Sequence, residues 1–208
     1  MIKLCVFDFD STLMDGETID ILAKAYGVGD AVRSITQRTM MGELDFFESL
    51  HQRVALLKGM PCEEVLAISA NLPLMPGSFE LIEFLKSKNI SIVVFSGGFH
   101  EGIDATMERL KFDLGFANYL HHKDGKLTGL VGGEMMFSNS KGLMLKRLKS
   151  FLNLKTDEVM CVGDGANDLA MFEQSGLKIA FCAKAVLRAN ASVCIDTKDL
   201  KEVIKAIP

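Results

Sequence analysis

Three features are missing from this sequence, and each absence excludes a class of protein. The five cysteines, at positions 5, 62, 161, 182 and 194, form no C-x-x-C pair and leave one over if paired, which argues against a disulfide framework and a zinc site. There is no basic excess, since 23 lysines and arginines face 27 aspartates and glutamates, so binding of nucleic acid through its phosphates is not indicated. No apolar stretch approaches the length of a membrane span.

The N-terminus also lacks the basic head, apolar stretch and small-residue cleavage site of a secretory leader, because the chain runs directly into Lys3 and Asp8. We therefore expect a protein of the reducing cytoplasm that binds neither membranes nor nucleic acid. What is present suits a globular fold, since apolar residues make up 49% and charged residues 24% of the 208 residues. This length predicts one well-packed domain with room for a modest insert.

Short apolar runs rich in β-forming residues predict buried strands. Most of them are separated by stretches with helical spacing, such as those that follow Pro76-Gly77 and Ser140. This alternation predicts a mostly parallel α/β sheet. The predicted strands are Leu4 to Phe7, Ile90 to Phe95, Val159 to Val162, Ile179 to Cys182 and Val193 to Ile195.

The interval between Thr12 and Leu72, about sixty residues, carries helical patterns and no convincing strand, far more than one crossover helix needs. We interpret it as an inserted helical cap. A second irregular segment, Phe116 to Phe137, contains the turn pattern K-D-G-K at 123–126 and predicts a β-hairpin beside the sheet. The cap helices are predicted over Thr18 to Tyr26, Gly29 to Met41, Leu44 to Leu57 and Cys62 to Asn71.

Two carboxylates lie at the end of the first predicted strand, in the segment D-F-D-S-T at 8–12. In an extended chain, residues two apart point to the same side, so Asp8 and Asp10 should project together. Their repulsion costs electrostatic energy unless a cation lies between them. The alternative interpretation of this segment alone is a polar turn that ends a strand.

A second acidic pair follows the third of these strands, in the segment G-D-G-A-N-D at 163–168. Ligands of open α/β sheets bind outside the carboxyl ends of the strands, so Asp164 and Asp168 can share one crevice with the first pair. A site built only of oxygen ligands favours magnesium over zinc. A dinucleotide-binding glycine motif is the competing interpretation, but Asp168 stands where its last glycine should be.

Two further segments carry groups suited to an anion. Ser96-Gly97-Gly98 follows a predicted strand and precedes a predicted helix, and a hydroxyl with unobstructed backbone N–H groups at such a place can bind an anion. Lys141 begins another predicted helix, where the helix dipole disfavours a cation unless an anion lies nearby. Taken singly, a plain turn and an exposed surface lysine remain the alternatives.

Together these residues suit phosphoryl transfer. One carboxylate would be the nucleophile, magnesium would offset its repulsion from the phosphate, and the lysine and backbone donors would hold the equatorial oxygens. A second carboxylate would protonate the leaving alkoxide and later deprotonate the hydrolytic water. Asp8 and Asp10 can divide these two roles.

The segments D-F-D-S-T-L, F-S-G-G, S-K-G and G-D-G-A-N-D, in this order and spanning nearly the whole chain, resemble the four motifs of the haloacid dehalogenase superfamily of phosphatases. In detail the pattern resembles the phosphoserine phosphatases, which add a glutamate nine residues after the nucleophile and an R-V-x-L-L segment in a helical cap. Glu17 and residues 53–57 match both. The resemblance implies hydrolysis of O-phospho-L-serine through an aspartyl-phosphate, the last step of serine biosynthesis.

The fold implied by the resemblance is a Rossmann-like, doubly wound, mostly parallel core of residues 1–13 and 73–208, with a helical lid of residues 14–72. Asp8 is implied as the nucleophile and Asp10 as the general acid and base. Mg²⁺ is implied to bind Asp8, the backbone carbonyl of Asp10, and Asp164. The other implied contacts are Ser96, Gly97 and Lys141 to the phosphoryl group, Asn167 beside the metal and the substrate, and Asp168 in support of the metal.

The resemblance assigns recognition of serine to Glu17 and Arg53, since a carboxylate and a guanidinium complement its ammonium and carboxylate. Taken singly, a first-turn helix acid and an ion-paired surface arginine are the alternatives. Met40 and Phe46 match positions where the family's lid presents apolar side chains over the substrate, and closure would exclude bulk water. Some relatives add an N-terminal amino-acid-binding domain; because the first strand begins at residue 3, we expect a stand-alone enzyme, monomeric or homodimeric.

Other functions remain open from the sequence alone. A phosphatase for another small phosphomonoester, or a phosphotransferase that passes the phosphoryl group to a small alcohol such as homoserine, would differ only in the cap. A signalling receiver domain also carries a phosphorylated aspartate, but its acceptor lies at the third strand and no helical insert follows the first. Asp10, as an acid and base that shortens the life of a phosphoaspartate, argues against a receiver.

Overall fold

The computed structural model describes residues 1–208, and a single seven-stranded sheet runs through its centre. The strands are β1 Leu4–Asp8, β2 Ser91–Phe99, β3 Leu114–Lys123, β4 Lys126–Gly133, β5 Val159–Gly163, β6 Leu177–Phe181 and β7 Val193–Ile195. Their order across the sheet is β4-β3-β2-β1-β5-β6-β7. Every neighbouring pair is parallel except β3 and β4, which are antiparallel.

Ten helices accompany the sheet. They are α1 Thr18–Ala25, α2 Gly29–Met40, α3 Phe46–Ala55, α4 Cys62–Ala70, α5 Ser78–Ser87, α6 His100–Leu110, α7 Ser140–Phe151, α8 Leu169–Phe172, α9 Ala185–Arg188 and α10 Lys201–Ile204. None of them is both long enough and apolar enough to cross a bilayer.

Both faces of the central strands are buried, because successive side chains of a strand point to opposite sides. Cys5 and Phe7 of β1 join a 25-residue cluster that includes α5, α6 and α10. Leu4 and Val6 join an 11-residue cluster that includes α7, α8 and α9. Each fully buried large apolar side chain contributes about 1.5–3 kcal/mol. The predicted fold class, a doubly wound and mostly parallel α/β sheet with helices inserted after the first strand, is therefore confirmed.

The insert leaves and rejoins the core at one place. Met14 bridges to Leu74 in antiparallel fashion, and the backbone N–H of Met75 donates to the carbonyl of Leu13 at 2.9 Å. The four inserted helices agree with the predicted ones to within two residues at each end. The division of the chain into a catalytic core and a lid stays a prediction.

The inserted helices pack against the β3–β4 hairpin. A 14-residue apolar cluster joins side chains of α1 to α4 with Leu120, Leu127 and Val131 of the hairpin. Backbone hydrogen bonds reinforce this contact: Leu127 donates to Met60 at 2.9 Å and accepts from Gly59 at 2.8 Å, and Cys62 donates to Gly125 at 2.9 Å. The insert is thus attached to the sheet at the hairpin as well as at its two ends.

Two details differ from the sequence prediction. The hairpin does not lie beside the sheet, because β3 pairs in parallel with β2 and the hairpin forms the edge of the same sheet. The second strand does not end at Phe95 but continues through a register shift to Phe99. The predicted turn is present, with Asp124 and Gly125 at φ 51° and 73°, the pair of positive angles that a two-residue type I′ turn requires.

Candidate active site

The polar segments of three neighbouring strands meet at one edge of the sheet. β1 lies between β2 and β5 and runs parallel to both, so the carboxyl ends of all three open on the same side. Asp8 is the last residue of β1, Ser96 lies in the final part of β2, and Asp164 directly follows β5. This topology brings residues more than 150 positions apart into one crevice, as open α/β sheets do at their ligand sites.

Lys141 links two of the acidic side chains. Its Nζ donates to Oδ1 of Asp8 and, at 2.6 Å, to Oδ1 of Asp168. All three side chains are almost completely buried, with exposed fractions of 3%, 5% and 0%. Burial alone would lower the pKa of Lys141, but the charges of Asp168 and Asp8 raise it above its usual value, so the ammonium stays charged.

Asp168 also fixes the turn that carries Asp164. Its Oδ2 accepts hydrogen bonds from the backbone N–H groups of Asp164 and Gly165, both at 3.0 Å. The side chain packs so closely on Gly163 that a Cβ there would lie 2.6 Å from Cγ of Asp168, which only glycine avoids. Asn167, in the same turn, is partly exposed and makes no side-chain hydrogen bond within the protein.

Three carboxylates of this group are close enough to share one cation. One carboxylate oxygen from each of Asp8, Asp164 and Asp168 lies within 4.8 Å of the other two. Burial, and after it the charge of Asp168, raise the pKa of Asp8, whereas Lys141 acts in the opposite direction. Burial also raises the pKa of Asp164, whose Oδ2 lies 3.9 Å from Nζ of Lys184. A hard cation with oxygen ligands fits this donor set, because it would relieve the repulsion.

Asp10 has a different environment from these three carboxylates. Its Oδ1 accepts from the backbone N–H of Thr18 at 2.7 Å and from the Thr18 hydroxyl at 2.6 Å, and its Oδ2 accepts from the Ser96 hydroxyl at 3.1 Å. Burial raises the pKa of Asp10, and these hydrogen bonds offset only part of the increase. A carboxyl with a raised pKa can deliver a proton near neutral pH. The predicted metal contact of Asp10 involves its backbone carbonyl alone and stays a prediction.

The Ser96-Gly97 segment forms the wall opposite the acidic cluster. The backbone N–H of Gly98 donates to Oγ of Ser96 at 2.8 Å, which fixes the position of that hydroxyl. Phe46, at the start of α3, lies directly over Gly97, because a Cβ on Gly97 would be 2.7 Å from Cζ of the ring. Because glycine has no Cβ, it leaves room for the aromatic ring at this position.

Two predicted recognition residues lie at the mouth of this crevice. The Ser11 hydroxyl donates to Oε1 of Glu17 at 2.8 Å, and burial, followed by the charge of Asp10, raises the pKa of Glu17 to about 7. Arg53 donates one hydrogen bond, from Nε to the carbonyl of Ser49 at 3.3 Å. Burial lowers the pKa of Arg53. The negative charge of Glu17 opposes this shift, with smaller contributions from Asp20 and Asp10. The guanidinium therefore keeps free donors beside a carboxylate.

Met40 differs from the other predicted residues. It is the last residue of α2 and is 72% exposed, so it is not packed over the residues of the crevice. Its predicted contact with a substrate stays a prediction, whereas the other site residues named from the sequence lie around the crevice.

Sequence reasoning missed three residues that shape the site. Thr18 holds Asp10 through two hydrogen bonds, Lys184 lies near Asp164, and Asn118 donates to the carbonyl of Gly97. Thr18 and Lys184 resemble ordinary first-turn and surface residues, so nothing in the pattern marks them. Asn118 was detectable in principle, because asparagine is uncommon inside a strand.

Comparison with known proteins agrees with this geometry. The family model described as haloacid dehalogenase-like hydrolase matches residues 2–176. A phosphoserine phosphatase of Campylobacter jejuni subsp. doylei is 72% identical over 207 residues, which cover 100% of both chains. The similarity is thus continuous over the sheet, the inserted helices and all the segments of the crevice.

Two solved structures share the architecture over the whole chain. One is a phospho-aspartyl intermediate analogue of phosphoserine phosphatase, with a TM-score of 0.94, 44% identity, and coverage of 100% of this chain and 99% of that one. The other is a substrate-bound phosphoserine phosphatase complex, with a TM-score of 0.94, 43% identity and the same coverage. The chain therefore belongs to the haloacid dehalogenase-like hydrolases and, within them, to the phosphoserine phosphatase family.

Proposed function

We infer that this protein hydrolyses O-phospho-L-serine to L-serine and phosphate through a phosphoryl group carried transiently by Asp8. The observation that carries the inference is the difference in surroundings between two buried carboxylates, Asp8 and Asp10. Asp8 accepts from a lysine and lies within 4.8 Å of two other aspartates, whereas Asp10 accepts only from neutral donors. Two neighbouring acids in such different surroundings suit a nucleophile and a general acid.

Asp8 is suited to attack phosphorus because Lys141 stabilises its ionised form in a buried place. The same ammonium lies where it can also balance the charge of the equatorial phosphoryl oxygens. The backbone N–H of Gly97, and the Ser96 hydroxyl once it turns from Asp10 to a phosphoryl oxygen, would supply neutral donors on the other side of the group. Transfer forms the bond between Asp8 and phosphorus and breaks the bond between phosphorus and the serine oxygen.

Asp10 provides the proton that the leaving serine alkoxide requires. The two bonds from Thr18 hold the carboxyl in place for this transfer. After serine leaves, the ionised Asp10 can accept a proton from the water that attacks the phosphoaspartate. The same residue thus serves both half-reactions.

Recognition of the serine moiety is proposed for Glu17 and Arg53. Their opposite charges match the ammonium and carboxylate of the substrate, and both lie in surroundings that exclude much of the solvent. Phe46, and Met40 once the insert of residues 14–72 closes as a lid over the crevice, would shield the phosphoryl group from bulk water. Selectivity is therefore expected to be electrostatic.

Mg²⁺ is the cofactor that these residues fit best. Asp8, Asp164 and the backbone carbonyl of Asp10 would hold the ion, with Asp168 and Asn167 in support. When bound, Mg²⁺ supplies positive charge that lowers the repulsion between the carboxylate nucleophile and the phosphate dianion.

Magnesium should raise the melting temperature of the protein in the absence of substrate. A ligand at 100 times its Kd stabilises by about 2.7 kcal/mol, which for a chain of this size is roughly 5–10 °C. We expect Asp164→Asn to lose most of this shift, because it removes one ligand. Asp20→Asn, an exposed change on α1, should keep it. An equal shift in the Asp164 variant would mean that the ion binds elsewhere.

A substrate panel tests the proposed function directly. Phosphate release should be measured for phosphoserine, phosphoethanolamine, 3-phosphoglycerate and glucose 6-phosphate, with and without Mg²⁺. Phosphoserine should give the highest kcat/KM, because only it carries both charged groups. Equal rates with the sugar phosphate would contradict the assignment. Added homoserine tests phosphotransfer, since accumulation of phosphohomoserine would favour a phosphotransferase.

Arg53→Ala should lower kcat/KM for phosphoserine by about 30-fold or more, because truncation of a buried charge pair costs about 2–5 kcal/mol. p-Nitrophenyl phosphate has no carboxylate, so its hydrolysis should change little. Arg38→Ala is the matched control, since Arg38 lies on the same insert but pairs with Glu43 at the surface. Equal losses on both substrates would assign Arg53 a structural or phosphate-binding role.

A further inference from the structure

Asn118 is the only asparagine whose side chain is completely buried, at 0% exposure, and it lies inside β3. Its amide makes three hydrogen bonds, all to backbone atoms. Nδ2 donates to the carbonyl of Gly97 at 3.1 Å and to that of Met135 at 3.3 Å, and Oδ1 accepts from the N–H of Met135 at 3.0 Å. A buried amide with this many partners has one defined orientation.

The bond to Gly97 continues as a chain to Asp10. In a trans peptide the carbonyl of Gly97 and the N–H of Gly98 point in opposite directions, and the protein has no cis peptide. With the carbonyl held by Asn118, the N–H faces Oγ of Ser96 at 2.8 Å. That hydroxyl in turn donates to Oδ2 of Asp10 at 3.1 Å.

The other two bonds of Asn118 reach the segment that leads to Lys141. Met135 follows β4, and α7 begins with Ser140 next to Lys141. Gly133 makes room for this contact, because a Cβ there would lie 2.6 Å from Cα of Asn118. One side chain therefore ties together the two sides of the crevice.

We propose that Asn118 is a positioning residue for phosphoryl transfer, which orients the 97–98 peptide and through it the Ser96 hydroxyl and Asp10. The proposal depends on the proposed function of Asp10 as the acid. Asparagine suits this position because it offers two donors to the carbonyls and one acceptor to Met135. An ionised aspartate would present only acceptors to two carbonyl oxygens.

Asn118→Asp tests the proposal, since it keeps the shape and the acceptor but loses both donors. We expect kcat/KM for phosphoserine to fall by about 10²-fold, the loss that follows a small misplacement of a reacting group. p-Nitrophenyl phosphate has a leaving group that needs no proton, so the decrease in kcat/KM for this substrate should be roughly tenfold smaller. Asn118→Ser fits the space without the amide. It should lower the ratio of kcat/KM for phosphoserine to kcat/KM for p-nitrophenyl phosphate, as Asn118→Asp does.

Ile103→Ala is the matched control for destabilisation. Ile103 is completely buried in α6 and packs on Gly115 of β3, away from the hydrogen-bonded chain. It should lower the melting temperature but leave the ratio of the two substrates at the wild-type value. The proposal would be overturned if a folded Asn118→Asp or Asn118→Ser protein kept the wild-type ratio of kcat/KM for phosphoserine to kcat/KM for p-nitrophenyl phosphate. It would also be overturned if Ile103→Ala changed this ratio by the same amount.

Failure of the proposed function has a different outcome. If the wild type prefers another alkyl phosphate, that substrate replaces phosphoserine in the comparison. The role of Asn118 is then judged by how far the variant changes the preference of the wild type for that substrate over p-nitrophenyl phosphate. This comparison does not depend on the identity of the alcohol.

Discussion

Asp8→Asn should reduce phosphoserine hydrolysis by at least about 10⁴-fold, because an amide in place of the carboxylate cannot accept the phosphoryl group. The change is nearly isosteric in a fully packed place, so the fold should be kept. It removes one charge from a group of three close carboxylates and also one of the two partners of Lys141, which keeps Asp168, so the stability of the metal-free protein should change little. Acid-quenched wild type, and not the variant, should carry a phosphoryl group on the peptide that contains residue 8.

Asp15→Asn is the matched control for this experiment. Asp15 lies in the loop that follows β1, but it is partly exposed and pairs with Lys198 at 2.6 Å. Its substitution should leave hydrolysis close to the wild-type rate. Substantial activity of Asp8→Asn, or a phosphoryl group found on another residue, would show that Asp8 is not the acceptor.

The second large effect is expected for Asp10→Asn. General acid catalysis contributes about 10²–10⁴-fold, and phosphoserine depends on it because a serine alkoxide is a poor leaving group. We therefore expect kcat/KM to fall by about 10³-fold with phosphoserine and by much less with p-nitrophenyl phosphate. Breakdown of the phosphoenzyme should also slow with both substrates, because the attacking water loses its base.

Asp10→Asn is also the reference for the Asn118 variants, which should show the same preference for a good leaving group in weaker form. Asp30→Asn removes a charge from the exposed face of α2, where Asp30 pairs with Arg33 at 2.9 Å, and should leave both substrates unaffected. A uniform loss on phosphoserine and p-nitrophenyl phosphate in Asp10→Asn would contradict its role as the acid.

The acidic residues of the crevice could be named from the sequence because each follows a short buried strand. Parallel strands open at one edge, so Asp8 and Asp164 had to lie near each other once the strands were recognised. The inserted helices were predictable for a similar reason, since their spacing continues over a long interval without a strand. Local patterns of this kind need no knowledge of tertiary contacts.

Other features depend on contacts that no local pattern contains. The sequence around Asn118 does not reveal that its partners are Gly97 and Met135, because both contacts arise from the pairing of β2 with β3 and of β3 with β4. For the same reason the hairpin was expected beside the sheet and not as its hydrogen-bonded edge. The continuation of β2 to Phe99 was hidden by two glycines, which in isolation favour a turn.

The backbone bonds between the hairpin and residues 59–62 have a consequence for protein engineering. Exchange of the inserted helices with those of a relative would preserve these bonds only if the new chain follows the same path at residues 59–62. It would also change the apolar side chains on which Leu127 packs, unless the hairpin were transplanted too. The natural unit for building chimeras in this family is therefore the insert together with the tip of β3 and β4, although about 50 residues of chain separate the two pieces.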